Sequence, residues 1–125
     1  MKRMNPSDKL ECFLSYLEEV KKEYEENFAI VGEEDRWLQD YLHALEFAPN
    51  KQERNKVATQ FQQSRRLRRK AKDKVMELEK VYDFQKDQAN RPVLKRLKAT
   101  ITQQKGNEQF LAGPREYKKR VSDSN

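Results

Sequence analysis

Two predicted helices meet at residues 47–53, which read Phe47-Ala48-Pro49-Asn50-Lys51-Gln52-Glu53. The first helix ends before Pro49, because the residue that precedes a proline disfavours the helical conformation. Asn50, followed three residues later by Glu53, forms a start for the second helix that resembles a capping box. A connection this short makes the two helices antiparallel neighbours. The stretch therefore predicts a helical hairpin.

A seven-residue apolar rhythm runs through the first predicted helix, from about residue 6 to residue 47. Its six successive a positions are Leu10, Leu17, Tyr24, Val31, Leu38 and Leu45. The register continues across Gly32, which favours one helix; the helix cost of glycine leaves a bend or a short break at this residue as alternatives. The flanking e and g positions also carry bulky side chains: Leu14, Phe28 and Leu42 on one side, and Tyr16, Ile30 and Trp37 on the other. So wide a stripe exceeds the seam of a two-stranded coil and predicts a homo-oligomeric helical bundle, a dimer or a tetramer.

A second helix to about residue 88 and a short third helix complete the predicted fold. The break between them lies at Asn90-Arg91-Pro92. The third helix ends near Gln104, because Gly106-Asn107 is a turn signal. We expect an all-α chain with a long, coiled-coil-like antiparallel helical hairpin and a short third helix over residues 1–104. A partly ordered basic C-terminal tail follows over residues 105–125.

Charge is divided unevenly between the two halves of the 125-residue chain. Residues 1–50 carry six Lys/Arg against twelve Asp/Glu, whereas residues 51–125 carry twenty-one against nine. Seven of the ten residues from Arg65 to Lys74 are cationic. Folding about residue 49 places this run opposite residues 24–33. These include Glu25, Glu26 and Glu33 and are flanked by Glu23, Glu34 and Asp35. Part of the basic run is therefore expected to form ion pairs along the hairpin.

The basic run extends around nearly two turns of helix, so one acidic neighbour does not pair with all of it. Guanidinium groups bind phosphate oxygens in a bidentate manner, which favours a nucleic acid or a smaller nucleotide as ligand. The predicted ligand-binding residues are Arg65, Arg66, Arg68, Arg69, Lys70 and Lys72, with Lys95 and Arg96 of the third helix. The alternative interpretation is a solvent-facing helix surface whose cations serve only in salt bridges.

Catalytic and metal-binding patterns are scarce in this sequence. With a single histidine, His43, and a single cysteine, Cys12, the usual Cys/His zinc sites cannot be built. The three glycines are isolated, so phosphate-binding glycine-rich loops are absent. Trp37 and Tyr41 are candidates for base stacking, although their g and d positions favour packing in the helical seam. We expect a protein that is not an enzyme and that holds neither a metal nor a cofactor.

The composition also bears on location. No apolar run approaches the roughly 20 residues that a membrane-spanning helix needs, and the basic N-terminus leads into no apolar segment. One cysteine excludes an internal disulfide and fits a reducing compartment. These features predict a cytoplasmic protein without a membrane partner.

Two stretches resemble small helical proteins encoded by phages and prophages of Gram-positive bacteria. The first reads VGEEDRWLQDYLHALEF from Val31 to Phe47, and the second extends from Glu53 through Asp73. The similarity covers residues 10–85 in outline, and the C-terminal forty residues match less closely. That group has no established activity, so it assigns no site residue to this chain. The resemblance implies expression in a bacterial host, with a role in host takeover or in blocking host defences.

Three functions fit these features. The sharpest is a phage-type counter-defence protein that sequesters a nucleotide immune signal in pockets between subunits. The second is a DNA- or RNA-binding accessory protein, whose affinity would fall steeply with salt. The third is an inhibitor of a host defence protein, acting through its acidic N-terminal half or its apolar stripe.

Overall fold

The computed structural model describes residues 4–114 and 116–117. Three α-helices account for most of this part of the chain: α1 Pro6–Glu46, α2 Lys51–Lys86 and α3 Arg91–Ala112, with a short 3₁₀ helix, Gln88–Asn90, before α3. The predicted all-α hairpin with a third helix is confirmed, and α1 is continuous across Gly32. Within the described residues there is no strand, and no helix has the length and apolar character needed to cross a bilayer.

The predicted helix boundaries at the hairpin turn are confirmed. The Asn50 side chain accepts a hydrogen bond from the backbone N–H of Glu53 at 2.9 Å, which satisfies one of the free donors at the start of α2. At the other end of the molecule, the backbone N–H of Asn5 donates to Asp8 at 3.0 Å and Pro6 occupies the first turn of α1. Local capping chemistry therefore sets both helix starts.

The third helix is longer than the sequence predicts, and the expected end near Gln104 is wrong. Residues 105–112 are helical, so Gly106 lies inside α3 and the predicted turn does not form. The reason is tertiary, because the carboxylate of Glu108 accepts hydrogen bonds from the Ser7 backbone N–H at 3.0 Å and from the Ser7 hydroxyl at 2.5 Å. Lys105 forms an ion pair with Glu11 in the same region. These contacts offset the cost of about 1 kcal/mol that glycine carries in a helix interior.

The basic tail predicted from residue 105 onward therefore begins later. Its first eight residues belong to α3, and the helix ends at Ala112, just before Gly113. Arg115 and residues 118–125 lie outside the described residues.

Helix α1 runs the length of the molecule, and α2 and α3 pack on successive parts of it. Near the turn, Tyr41 packs edge-on against Phe61 with ring centroids 5.9 Å apart. Towards the other end, Gln85 donates to Glu18 at 3.2 Å. Beyond this point α3 continues along the N-terminal part of α1, as the contact between Ser7 and Glu108 shows. The result is a rod about 60 Å long, since α1 alone has 41 residues.

The rod has a narrow core. Its buried apolar side chains are Leu17, Val20, Ala71, Leu78 and Ile101. Leu17 and Val20 occupy predicted a and d positions of α1, so the orientation of the seam is confirmed. The chain exposes 10944 Å² of surface, whereas a compact monomer of its 15.0 kDa mass exposes about 7,000 Å². Most apolar side chains of the seam are therefore only partly covered in the single chain.

The register of the hairpin differs from the predicted one. Arg65 and Arg68 both pair with Asp35 rather than with Glu25, Glu26 or Glu33. Glu25 lies opposite the far end of α2, where it accepts a hydrogen bond from Tyr82 at 3.2 Å. Helical side chains lean towards the N-terminus of their own helix. In this antiparallel pair, α1 side chains therefore lean away from the turn and α2 side chains lean towards it. Each α2 residue consequently contacts an α1 residue that is nearer the turn than simple folding about residue 49 predicts.

Candidate anion-binding surface

The cations of the basic run lie on two sides of α2. An inner set points towards α1, and an outer set points towards solvent. Arg65 and Arg68 belong to the inner set and reach α1. The Arg68 Nε donates to Asp35 Oδ1 at 2.5 Å, and the Arg65 Nη2 lies 3.6 Å from the same oxygen. The predicted pairing of some cations along the hairpin is thus confirmed for these two arginines. Their charge is shared with Asp35 and is not fully available to a ligand.

Asp35 responds to this environment. The hydrogen bond from Arg68 is the main cause that holds the pKa of the Asp35 carboxyl below its ordinary value, with smaller contributions from the charges of Arg68, Arg65 and Lys72. A carboxylate with a lowered pKa stabilises the folded state above its ordinary pKa, and this contribution is lost as the pH falls through the lowered pKa. The pairing of Asp35 with Arg68 is therefore present at neutral pH.

The outer ridge consists of Arg66, Arg69 and Lys70, whose side chains are exposed. Spacings of three and four residues place these three side chains on one face of α2. None of the three forms an ion pair within the described part of the chain, although Lys74 nearby pairs with Glu77 at 3.5 Å. Lys72 is also exposed and lies on the Asp35 side of the helix. The outer ridge therefore presents uncompensated positive charge to solvent.

Lys95 and Arg96 do not join this surface. Both are exposed on α3, and their neighbours Leu94 and Lys98 line a cavity with Leu14 and Glu18 of α1. Since the basic run packs beside Asp35, the two groups of cations are separated by about 25 Å along the axis of α1. The structure brings together the six predicted residues of α2 and leaves the two of α3 at the other end of the rod.

The two sides of the hairpin differ in the contacts that they carry. We call the side that carries contacts within the chain the closed flank and the opposite side the open flank. The closed flank carries the contacts of Asp35 with Arg65 and Arg68, those of Glu25 with Tyr82 and Lys86, and that of Glu18 with Gln85. It also receives α3, through Ser7 and Glu11 of α1. On the same flank, Phe28 stacks on Tyr24 at 6.0 Å and Tyr24 stacks on Tyr82 at 3.9 Å. Polar and aromatic contacts within the chain thus occupy this side.

The open flank carries two adjoining cavities that share Leu67. The larger, about 550 Å³, is lined by Asn27, Ile30, Leu67, Lys70, Ala71, Asp73, Lys74 and Glu77. The smaller, about 410 Å³, is lined by Glu34, Trp37, Tyr41, Gln60, Gln63, Ser64 and Leu67. Across its floor the Ser64 hydroxyl donates to Glu34. The sequence analysis did not identify this groove, because its position depends on the rotation of each helix about its own axis.

The aromatic residues considered for base stacking fall into two situations. Tyr41 is half-buried against Phe61, as its seam position predicts. Trp37 is 48% exposed, and its ring lies 6.3 Å from that of Tyr41 at the edge of the smaller cavity. Trp37 therefore presents a free aromatic surface on the open flank.

The remaining reactive residues are isolated. His43 is exposed, as predicted for an f position, and its Nδ1 lies 4.0 Å from the carboxylate of Glu46. Cys12 is an exposed free thiol on α1. Among the described residues, no group of three or more His, Cys, Asp or Glu side chains is arranged to hold a metal ion.

Comparison of the chain with models of known protein families, with curated proteins and with solved structures finds no match. The charges and cavities on the surface of the molecule are therefore the features that bear on its function.

Proposed function

We propose that this chain is a non-enzymatic, phage-type host-takeover or counter-defence protein that binds a phosphate-rich polyanion, DNA or RNA, through the outer ridge of α2. The observation that carries the proposal is that Arg66, Arg69 and Lys70 are exposed and form no ion pair with the described residues, next to two arginines that pair with Asp35. Uncompensated cations on one helix face attract polyanions over long distances.

The shape of the outer ridge supports an extended ligand. Arg66 and Arg69 lie on the side of α2 that faces away from α1, so they form a convex surface. A convex helix presents its cations to the phosphates of a strand or a groove from outside, whereas a small nucleotide is usually enclosed in a concave site. Arginine adds bidentate hydrogen bonds to phosphate oxygens.

The biological setting of the proposal comes from the resemblance to phage-encoded proteins. A polyanion-binding protein in the cytoplasm of a bacterial host meets nucleic acids of both phage and host. The oligomeric bundle that the wide apolar stripe predicts would multiply the number of outer ridges and increase avidity for a long polyanion. Occupation of nucleic acid by such an oligomer is a plain means of host takeover that needs no catalysis.

The proposal is tested by fluorescence anisotropy with a labelled duplex of about 20 base pairs and a matching single-stranded RNA, at several salt concentrations. The affinity of the unaltered chain is expected to fall steeply with salt, because each phosphate contact contributes about 0.9 to the logarithmic slope for duplex DNA. The triple variant Arg66→Ala, Arg69→Ala, Lys70→Ala should weaken binding at least about tenfold. It should also reduce the logarithmic salt slope by the amount that roughly two to three phosphate contacts contribute.

The matched control removes three exposed cations from α3, as Lys95→Ala, Arg96→Ala, Lys98→Ala. This variant has the same net charge as the triple variant of the outer ridge. It is expected to retain most of the affinity and the salt slope. A salt-independent affinity, or equal losses in both variants, would contradict binding through the outer ridge.

A second candidate function, capture of a nucleotide immune signal, is favoured by the open flank. There the exposed ring of Trp37 and the lysines Lys70 and Lys74 line adjoining cavities. An aromatic side chain next to cations suits a base and a phosphate of one ligand. A second subunit over this flank would enclose the ligand between subunits.

Native mass spectrometry with cyclic dinucleotides tests this second candidate. Capture predicts that the ligand binds at a fixed ligand-to-chain ratio. Trp37→Ala is then expected to lower the affinity at least about tenfold, whereas the double variant Arg66→Ala, Arg69→Ala should leave the affinity unchanged. If the chain takes up neither nucleotide nor nucleic acid, both candidates fail. The search then moves to a host protein, which a pull-down insensitive to nuclease would reveal.

A further inference from the structure

Among the described residues, no other helix packs on one side of the hairpin. The g positions of α1 and the corresponding positions of α2 recur every seven residues on the open flank, so their side chains share one face. Trp37 and Leu67 line the smaller cavity on this face and are 48% and 46% exposed. Helix α3 and the interhelical ion pairs all lie on the opposite, closed flank. An apolar patch around Trp37 and Leu67 is therefore left open, bordered by the polar residues that line the two cavities.

The elongated chain exposes more surface than a compact monomer does. The 10944 Å² exposed by one chain exceeds the value for a compact monomer of equal mass by more than about 3,000 Å². A stable interface buries about 1,200–2,000 Å² in total, taken equally from both partners. Two chains joined through the open flank can meet this requirement and still leave Arg66 and Arg69 of the outer ridge exposed.

Charge decides how the second copy is oriented. Helix α1 carries four Lys/Arg against twelve Asp/Glu, and α2 carries twelve against five. Two copies packed with α1 over α1 would place like charges together along the whole rod, which is unfavourable. Packing α1 of one copy over α2 of the other brings Glu34 towards the partner's Lys70, and both residues line the open flank.

We infer that a second copy of this chain docks on the open flank, with α1 of each copy over α2 of the other and the two-fold axis parallel to the rod. Every neighbouring pair of helices is then antiparallel, as in an up-and-down four-helix bundle. The inference deepens the oligomeric part of the proposed function, because it names the interface and its symmetry. In this dimer the partner subunit covers the two cavities of the open flank.

The proposed symmetry specifies which residues meet. A two-fold axis parallel to the rod keeps each residue at its own height. Trp37 and Leu67 line the same cavity and are therefore at one height. Trp37 of one copy consequently packs on the partner's Leu67, and the isologous contact is repeated on the other side of the axis.

The interface is tested by measuring the mass of the full chain by light scattering after size exclusion, without any ligand. The unaltered chain is expected at twice its 15.0 kDa mass. Leu67→Glu should yield monomers, because it places a carboxylate in the centre of an apolar contact. The matched control is Leu42→Glu, which changes a leucine of equal exposure, 44% against 46%, on the closed flank.

Circular dichroism establishes that both variants remain helical, so a monomeric Leu67→Glu variant reports the interface and not unfolding. Leu42→Glu is expected to remain a dimer. A monomeric unaltered chain, or dimers that survive Leu67→Glu but dissociate with Leu42→Glu, would overturn the inference.

The orientation is tested by cysteine cross-linking in a Cys12→Ser background. Chains with Trp37→Cys and chains with Leu67→Cys are mixed in equal amounts, unfolded and refolded together, and then oxidised. The proposed symmetry predicts a disulfide-linked dimer in the mixture and little in either variant alone. A dimer that does not cross-link in the mixture would exclude this packing. Neither measurement involves a ligand, so failure of this inference and failure of polyanion binding are separate results.

Discussion

Replacing Leu17 by alanine is expected to lower the free energy of unfolding by about 2–5 kcal/mol, the range for removing a buried leucine side chain. Leu17 is 3% exposed and lies where all three helices meet, since it lines a cavity with Gln85 of α2 and Leu94 of α3. A chain with so few buried apolar side chains has little stability to lose, because typical totals are about 5–15 kcal/mol. The variant should therefore be partly unfolded near room temperature.

The measurement is urea denaturation followed by circular dichroism at one fixed protein concentration, because association would add to the apparent stability. The matched control is Leu42→Ala, the same truncation on the same helix at a site that is 44% exposed. We expect a change within about 0.5–1 kcal/mol for the control. Equal effects of the two truncations would mean that the core at the junction of the three helices does not govern stability.

The second large effect is expected from Ile101→Asp, which should release α3 from the hairpin. Ile101 is the buried apolar residue of α3, at 5% exposure. A carboxylate in this position loses its hydration without gaining a partner, which costs more than the polar contacts of Glu108 and Lys105 provide. Because α3 contacts α1 over a short length, the hairpin itself should persist.

Hydrogen exchange resolved along the chain tests this expectation. Amide protection over residues 91–112 should fall by roughly 100-fold or more, while protection over 51–86 changes little. Val93→Asp places the same charge on α3 at a site that is 57% exposed and serves as the control. If Ile101→Asp removes protection from all three helices alike, the chain unfolds as one cooperative unit and the expectation is wrong.

The open flank makes the oligomeric state central to function. If two copies pack with α1 over α2, Arg66 and Arg69 of the two chains lie on opposite sides of one bundle, whereas Lys70 lies at the interface. Such a dimer would present two cationic surfaces to a polyanion, and the energetic gain from the second would depend on whether one ligand reaches both. The light-scattering and anisotropy measurements together determine whether ligand binding requires the dimer.

Several features of the fold were predictable because local chemistry determines them. The break at Pro49 follows from the restriction on the residue before a proline, and the start of α2 follows from Asn50 capping Glu53. The unbroken a series through Gly32 indicated the continuous α1. Burial of Leu17 and Val20 followed from the same periodicity.

For the candidate site, the sequence predicted which residues are cationic but not which of them face solvent. The sequence indicated a cationic segment, but it did not show that Arg65 and Arg68 pair with Asp35 while Arg66 and Arg69 form no ion pair in the described part of the chain. That distinction depends on the angle at which α2 faces α1. A rotation of α2 by one residue, about 100°, would have exchanged the inner and outer sets.

By itself the sequence determined how many helices form, where the hairpin turns, and which face of α1 is apolar, because periodicity, caps and proline act within a few residues. Only the tertiary structure decided the end of α3, where Ser7 holds Glu108 and carries the helix past Gly106. It also decided the register that joins Arg68 to Asp35 and the division into a closed and an open flank. These features depend on the relative rotation and translation of packed helices, which many side chains determine jointly across the interface.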